Sequence, residues 1–372
     1  MDLLKIHHKE LVELLNKAYD LRLEKKTVPL FVHGTFGIGK TDAVRAFARA
    51  KAKELGLTYS EKKEDVNKKD VFLLQTICLI DYQAEELKGV LYPSSDKNKA
   101  EFLPLDVLPT EGQGVIFFDD FNTALPSVQS AAYQLIENRR VGGYKLPDGF
   151  AVVGAGNFAS DGAYIYDMPA PLLNRFIHVE LGTPTAQEWA YEYAINNGVD
   201  SRIIAYVLYK NVVHNYDAEN PQRFPVITPR SLEKASILIR DIPDDSEQML
   251  RIAVGSALGA PVAHEFLAWL KLSKKYNLKS LFKNRDLKVP KEYGELYSLI
   301  LAIANYYGQN YSEYNSESIG VFCKILLDEE RAEFAATLIS LIKGILNDPE
   351  KFAGLLSKIG EETIESFSDI LI

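Results

Sequence analysis

Residues Val28-Pro29-Leu30-Phe31-Val32-His33-Gly34-Thr35-Phe36-Gly37-Ile38-Gly39-Lys40-Thr41 carry an apolar run into a glycine-rich turn that ends on a Lys-Thr pair. Gly34 to Thr41 fit the pattern G-x-x-x-x-G-K-[ST] in full. Glycines at 34, 37 and 39 let the backbone curl without a Cβ in the way, so successive N–H groups converge on an anion. A helix-compatible stretch, Thr41 to Leu55, follows and stops at Gly56, the position of a C′ residue. Its N-terminus adds the positive end of a helix dipole. The pattern predicts a phosphate cradle built from Gly34, Thr35, Phe36, Gly37, Ile38 and Gly39. Lys40 would reach the β- and γ-phosphates, and the Thr41 hydroxyl would hold Mg²⁺. The plain alternative is a glycine-rich turn with no ligand.

Such a loop needs a carboxylate for its metal. Val115-Ile116-Phe117-Phe118-Asp119-Asp120 supplies one, as four apolar residues of a buried strand ending in two acids. Asp119, at the strand's C-terminal edge, is the candidate Mg²⁺ ligand through water. Asp120 is the candidate to orient or polarise an attacking water. The alternative is that two adjacent acids cap a turn.

Further from these segments, strand-like runs alternate with helical ones. Val71 to Ile80, Ala151 to Ala155 and Phe176 to Leu181 read as strands, Leu125 to Glu137 as a helix, and the charged Glu61 to Asp70 as a solvated excursion. The first 25 or so residues read as one helix ending in Lys25-Lys26. Strands separated by helices of this length predict βαβ units and a parallel sheet. The character changes at Leu181-Gly182-Thr183-Pro184. Thr185 and Glu188 have capping-box spacing and open a long helical region. Asp348-Pro349 reads as an N-cap and first helical residue.

The chain has 372 residues, 47% of them hydrophobic and 25% charged, with net charge −9, which excludes a disordered or collagen-like chain. Two cysteines, Cys78 and Cys323, make no disulfide framework, and no metal-ligand cluster accompanies them. The N-terminus carries acids and is a poor signal peptide, and no apolar stretch approaches the ~18 residues of a membrane span. A reducing, cytoplasmic setting is expected.

The phosphate loop, the stretch Phe117 to Asn157, then Pro169-Ala170-Pro171-Leu172-Leu173-Asn174-Arg175-Phe176, then Ile227-Thr228-Pro229-Arg230 closely resemble the MoxR group of AAA+ ATPases, over about residues 25 to 265. The resemblance implies an α/β fold, a doubly wound parallel-sheet P-loop core at 1–183. A helical lid at 184–274 would follow. Of the last ~100 residues the resemblance says little, and there the helical patterns themselves predict a C-terminal helical region at 275–372. The resemblance also implies an ATP- and Mg²⁺-dependent ATPase working as a homo-oligomeric ring, usually a hexamer. The ring would remodel or activate a protein target, often with a von Willebrand factor A-type partner. Gly34 to Thr41 resemble Walker A, and Asp119 and Asp120 resemble Walker B. Asn157 resembles the sensor-1 residue that positions the lytic water, Arg175 the arginine finger acting on the next subunit, and Arg230 the sensor-2 arginine of the lid. On the residues alone, Asn157 could simply cap its strand, and Arg175 could be a surface arginine. Arg230 sits in a helix's first turn, where a cation costs roughly 0.3–1 kcal/mol, so a nearby anion would account for it.

The sequence departs from that family at three places, the mildest being Phe36 in the loop, where a proline is common and the change is expected to be harmless. The second Walker B acid is Asp120 where most relatives have Glu, shortening the reach by about 1.5 Å. Thr123 follows Asn122 where the family often has Arg, so no role for that arginine carries over.

Arg139-Arg140-Val141-Gly142-Gly143-Tyr144-Lys145 reads as a hairpin that in related rings points to the central channel. Lys271 to Lys291 holds eight basic residues and one acid, either a solvated face or a nucleic-acid surface. Two alternative functions stand beside remodelling: an NTP-driven motor stimulated by nucleic acid, and a slow nucleotide-gated assembly scaffold. Overall acidity favours remodelling.

Overall fold

The computed structural model describes residues 3–23, 28–95, 99–162, 164–217, 219–220 and 225–367. Two compact units divide it, Met1–Thr183 and Pro184–Ile372.

The first unit is built on strands β1 (Lys5–Ile6), β2 (Leu30–His33), β3 (Thr58–Ser60), β4 (Val71–Cys78), β5 (Val90–Pro93), β6 (Ala100–Leu103), β7 (Gln113–Asp119), β8 (Arg140–Val141), β9 (Tyr144–Lys145), β10 (Phe150–Gly156) and β11 (Ile177–Leu181). Seven of them form one sheet in the order β1-β11-β2-β10-β7-β4-β3, with every pairing parallel. Helices α1 (His8–Leu23), α2 (Lys40–Glu54), α3 (Ala84–Lys88), α4 (Pro126–Asn138) and α5 (Ala170–Leu173) connect them.

A parallel sheet must be covered on both faces, and side chains alternate between them. Leu30, Val32, Phe72, Leu74, Val115, Phe117, Val153 and Ala155 join Leu11, Leu15, Val44 and Phe47 in one core under α1 and α2. Phe31, Leu73, Ile116, Phe118 and Val152 join Val128, Ala132, Leu135 and Ile136 of α4 in the other.

Register fixes where the loops begin. β10 lies between β2 and β7, pairing Gly156 with His33 and Gly154 with Phe118. The C-terminal ends of these three strands therefore meet, which is where ligands bind in open α/β sheets.

The N-terminus differs from its helical reading. Lys5–Ile6 is an edge strand paired with Glu180 and Leu181, and the helix starts only at His8. Hydrogen bonds from Glu180 N to Leu4 O and from Gly182 N to Ile6 O, both 2.9 Å, outweigh the local periodicity. The expected helix end at Lys25-Lys26 lies outside the described residues. The hairpin reading of 139–145 is matched by antiparallel β8 and β9. A second hairpin, β5 and β6, had no such signal.

The second unit is helical. Its elements are α6 (Ala186–Glu188), which runs into a π turn over Trp189–Ala194, then α7 (Ser201–Lys210), α8 (Pro229–Ile239), α9 (Glu247–Leu258), α10 (Ala260–Ser273), α11 (Leu278–Asn284), α12 (Tyr293–Gln309), α13 (Glu313–Asp328), α14 (Ala332–Leu346), α15 (Pro349–Ile359) and α16 (Glu361–Glu365). Thr185 and Glu188 form their capping box, but the helix it opens breaks at Asn197-Gly198, where Gly198 has φ +66°. Asp348 caps α15, accepting from the backbone of Glu350 and Lys351 at 3.1 Å. One continuous core runs from Ala186 to Phe367, so the helices on both sides of residue 275 share it.

Candidate nucleotide site

Gly39 is the N-cap of α2 and sits in the left-handed region at φ +98°, a conformation that favours glycine. Because the cap is a glycine, it offers no side-chain acceptor to the first N–H groups of the helix, the groups through which a helix N-terminus can bind an anion.

Lys40 is buried, and its ammonium donates to Gly34 O at 2.7 Å, Thr35 O at 3.0 Å and Asn157 Oδ1 at 2.6 Å. Thr41 Oγ1 donates to Asp119 Oδ2 at 2.8 Å. Asp119 Oδ1 accepts from the Asp120 backbone at 3.0 Å. Asn157 Nδ2 donates to Asp120 Oδ1 at 2.9 Å. The loop, the acid-tipped strand and the end of β10 are thus joined as one polar chain.

Asp120 takes a left-handed conformation, φ 48° and ψ 38°, which costs a non-glycine residue of order 1–3 kcal/mol. Its surroundings over-determine it. Its carbonyl accepts from Thr123 N at 2.9 Å and Thr123 Oγ1 at 2.7 Å, while Asn157 holds its carboxylate. The Asp120 carboxylate is thereby held against Asn157.

Sequence reasoning gave Asn122 no role. Its buried amide donates to Asn157 O at 2.8 Å and accepts from Asn157 N at 3.2 Å, prolonging the pairing beyond the end of β10. Gly156 leaves room for this: a Cβ there would lie 2.6 Å from Asn122 Oδ1. Asp161 was also missed. It accepts from Thr35 Oγ1 at 2.9 Å and from Phe158 N at 3.1 Å, tying the phosphate loop to the turn after Asn157. His8, at the start of α1, lies 2.8 Å from Ile38 O through Nε2. No motif marks these three, since each has a partner distant in sequence.

Under the loop, His33 Nε2 and His178 Nδ1 are 2.8 Å apart, and His178 Nε2 is 2.7 Å from Leu173 O. A carbonyl requires a donor, so His178 carries its proton on Nε2. Burial first, then His178 and Lys40, push the His33 pKa down to about 4.

Burial also raises the Asp119 carboxyl above its usual range, against the Thr41 hydroxyl and the Asp120 N–H. A bound cation would offset that cost. Among the described residues no group of three or more His, Cys, Asp or Glu forms a metal cage. One hydroxyl and one carboxylate instead fit an ion that takes its other ligands from phosphate and water, as Mg²⁺ does.

The two arginines are placed otherwise. Arg175, between α5 and β11, donates through Nε to Glu137 on α4, and its guanidinium lies 4.7 Å from the Tyr133 ring centroid. Arg230 belongs to the second unit, exposed in the first turn of α8 behind its Thr228 cap.

Strand order, phosphate loop and acid-tipped strand define a P-loop α/β core, followed by an all-helical unit. No protein-family model matches the chain, and comparison with curated proteins finds no relative. Several solved structures are similar to it in part. The Aeropyrum pernix ORC2 protein, in ADPNP–ADP complexes, is 16% identical over 93% of this chain and 94% of that one, with TM-score 0.40. The Aeropyrum pernix ORC1 protein in complex with DNA is 15% identical over 94% of each chain, with TM-score 0.37. A Thermotoga maritima RuvB mutant is 14% identical over 78% of this chain and 87% of that one, with TM-score 0.32. At such scores these likenesses carry no weight for the site, whose reading rests on its own geometry.

Proposed function

We propose that the chain is a Mg²⁺-dependent ATPase of the MoxR-like AAA+ type, coupling nucleotide turnover to remodelling of a protein target in a homo-oligomeric ring. The observation that carries this is the polar chain Lys40–Asn157–Asp120, set beside the Thr41–Asp119 pair. In this reading the α2 N-terminus and the loop amides bind the triphosphate. Lys40 exchanges its carbonyl and amide acceptors for phosphate oxygens. Thr41 and Asp119 hold Mg²⁺, which when bound neutralises phosphate charge. Asp120 and Asn157, already in contact, orient the attacking water. Arg175 of one subunit reaches the site of the next, and Arg230 of the lid contacts the nucleotide; fixed cations stabilise the charge that spreads in the transition state.

The basic segment 271–291 favours a protein target over nucleic acid. Lys271 pairs with Glu247 at 2.8 Å, Arg285 with Glu317 at 2.6 Å and Lys275 with Glu295 at 3.9 Å, so acids from neighbouring helices offset three of its charges. The lid at 184–274, the region at 275–372 and a von Willebrand factor A-type partner belong to this reading.

The test is steady-state ATP turnover with Mg²⁺. Wild-type protein hydrolyses ATP and Lys40→Ala does not. Mixing Arg175→Ala with Asp120→Asn subunits restores part of the activity at mixed interfaces; no rescue at any ratio removes the arginine acting in trans.

A further inference from the structure

Tyr133 and Glu137 lie four residues apart on α4, one turn of the same helix face. Both engage Arg175, which the chain brings back 38 residues later. Glu137 accepts from the guanidinium Nε, and the Tyr133 ring supports its face at 4.7 Å. The Tyr133 hydroxyl, then the arginine, hold the Glu137 carboxyl below its ordinary range, so it is charged at neutral pH. A carboxylate on Nε and an aromatic under the plane fix a guanidinium in two independent ways. The Nη groups lie beyond that Nε contact, with Nη1 3.5 Å from Pro171 O.

The same pairing of carboxylate and aromatic holds Arg285, with Glu317 on its Nη2 and the Tyr314 ring centroid 4.6 Å away, so the cradle by itself does not mark a role in trans. For an arginine that serves another subunit it supplies preorganisation, because a flexible side chain would lose most of its rotamer freedom on each encounter.

We infer that Glu137 and Tyr133 are positioning residues for Arg175, holding its guanidinium in the orientation that the neighbouring subunit's phosphate site uses. This rests on the trans role proposed above for Arg175. An opposite device can be built from the same contacts, a latch in which Glu137 withholds the arginine until assembly. The two differ in sign.

The experiment measures kcat, KM and the affinity for a fluorescent ATP analogue in full-length, assembled protein. The variants are Glu137→Gln, Tyr133→Leu and Arg175→Ala, alone and combined. Glu137→Gln is expected to lower kcat about tenfold while KM and analogue affinity stay within twofold. Tyr133→Leu moves kcat in the same direction, which covers the case in which one variant folds poorly. In the Arg175→Ala background neither change lowers kcat further. A kcat that is unchanged or raised in Glu137→Gln, with Arg175→Ala inactive, overturns the positioning role and leaves the trans arginine standing. An equal loss in the Arg175→Ala background overturns it too, since Glu137 would then act through another group. Wild-type turnover in Arg175→Ala removes the trans role itself, and with it the inference.

Discussion

The Asn157 carboxamide oxygen accepts a 2.6 Å hydrogen bond from the Lys40 ammonium, while its nitrogen donates to Asp120. One amide thus contacts both the Lys40 ammonium and the Asp120 carboxylate. Alanine at 157 severs that link without touching the loop amides. Asn157→Ala is expected to keep ATP affinity within a few-fold and to lower kcat by about 10²-fold, the scale of losing one preorganised transition-state donor. Comparing turnover with nucleotide affinity checks it. A parallel loss in both would place Asn157 in ground-state binding.

Asn122 holds the backbone of Asn157 from within the protein. Asn122→Ala leaves the Asn157 N–H and C=O without that partner, at a cost of about 1–3 kcal/mol each if no water replaces it. The expected result is a lower denaturation midpoint together with reduced kcat. Gly156→Ala should reproduce both, because its Cβ would meet Asn122 Oδ1 at 2.6 Å. Urea unfolding of the two variants, with turnover measured in parallel, decides this.

Asp120 occupies a left-handed conformation that asparagine also tolerates. Asp120→Asn should therefore fold normally and bind ATP while losing turnover, since it keeps the shape and loses the carboxylate. Asp120→Val, β-branched and strained in that region, should be markedly less stable. Single-turnover kinetics and thermal melts separate the two effects. The wild-type rate in the same assay also tells a remodelling engine from a slow scaffold.

His33 is kept neutral in the folded protein, with its pKa pushed down to about 4 from an ordinary 6.5. Between those values the unfolded chain binds more protons at this site, so stability falls as pH drops from about 6.5 toward 4. The melting temperature should decline over that interval, and His33→Gln should show a smaller decline. Equal slopes in the two proteins would show that other groups set the acid sensitivity.

The sheet's central strands were readable because each is an apolar run ending at a polar residue, and a buried parallel strand requires nothing else. Gly34 to Thr41 and Asp119 stood out because the pattern they fit has fixed residue types at fixed spacing, and the fold brings Thr41 and Asp119 together. What escaped was set by tertiary contact. The Lys5–Ile6 strand exists only because β11 offers it an edge. The hairpin of Val90–Pro93 and Ala100–Leu103 has exposed apolar side chains on both strands and no alternation to mark it. Asn122, Asp161 and His8 each make a hydrogen-bonded contact with a residue 30 to 126 positions away, which no local pattern can encode.

The most direct test is titration calorimetry of the intact protein with Mg²⁺-ATP, run beside Lys40→Ala. The account predicts saturable binding by the wild type that weakens at least tenfold, or vanishes, in the variant. Binding of equal strength in both proteins, or no uptake of adenine nucleotide by the wild type with or without Mg²⁺, would contradict it.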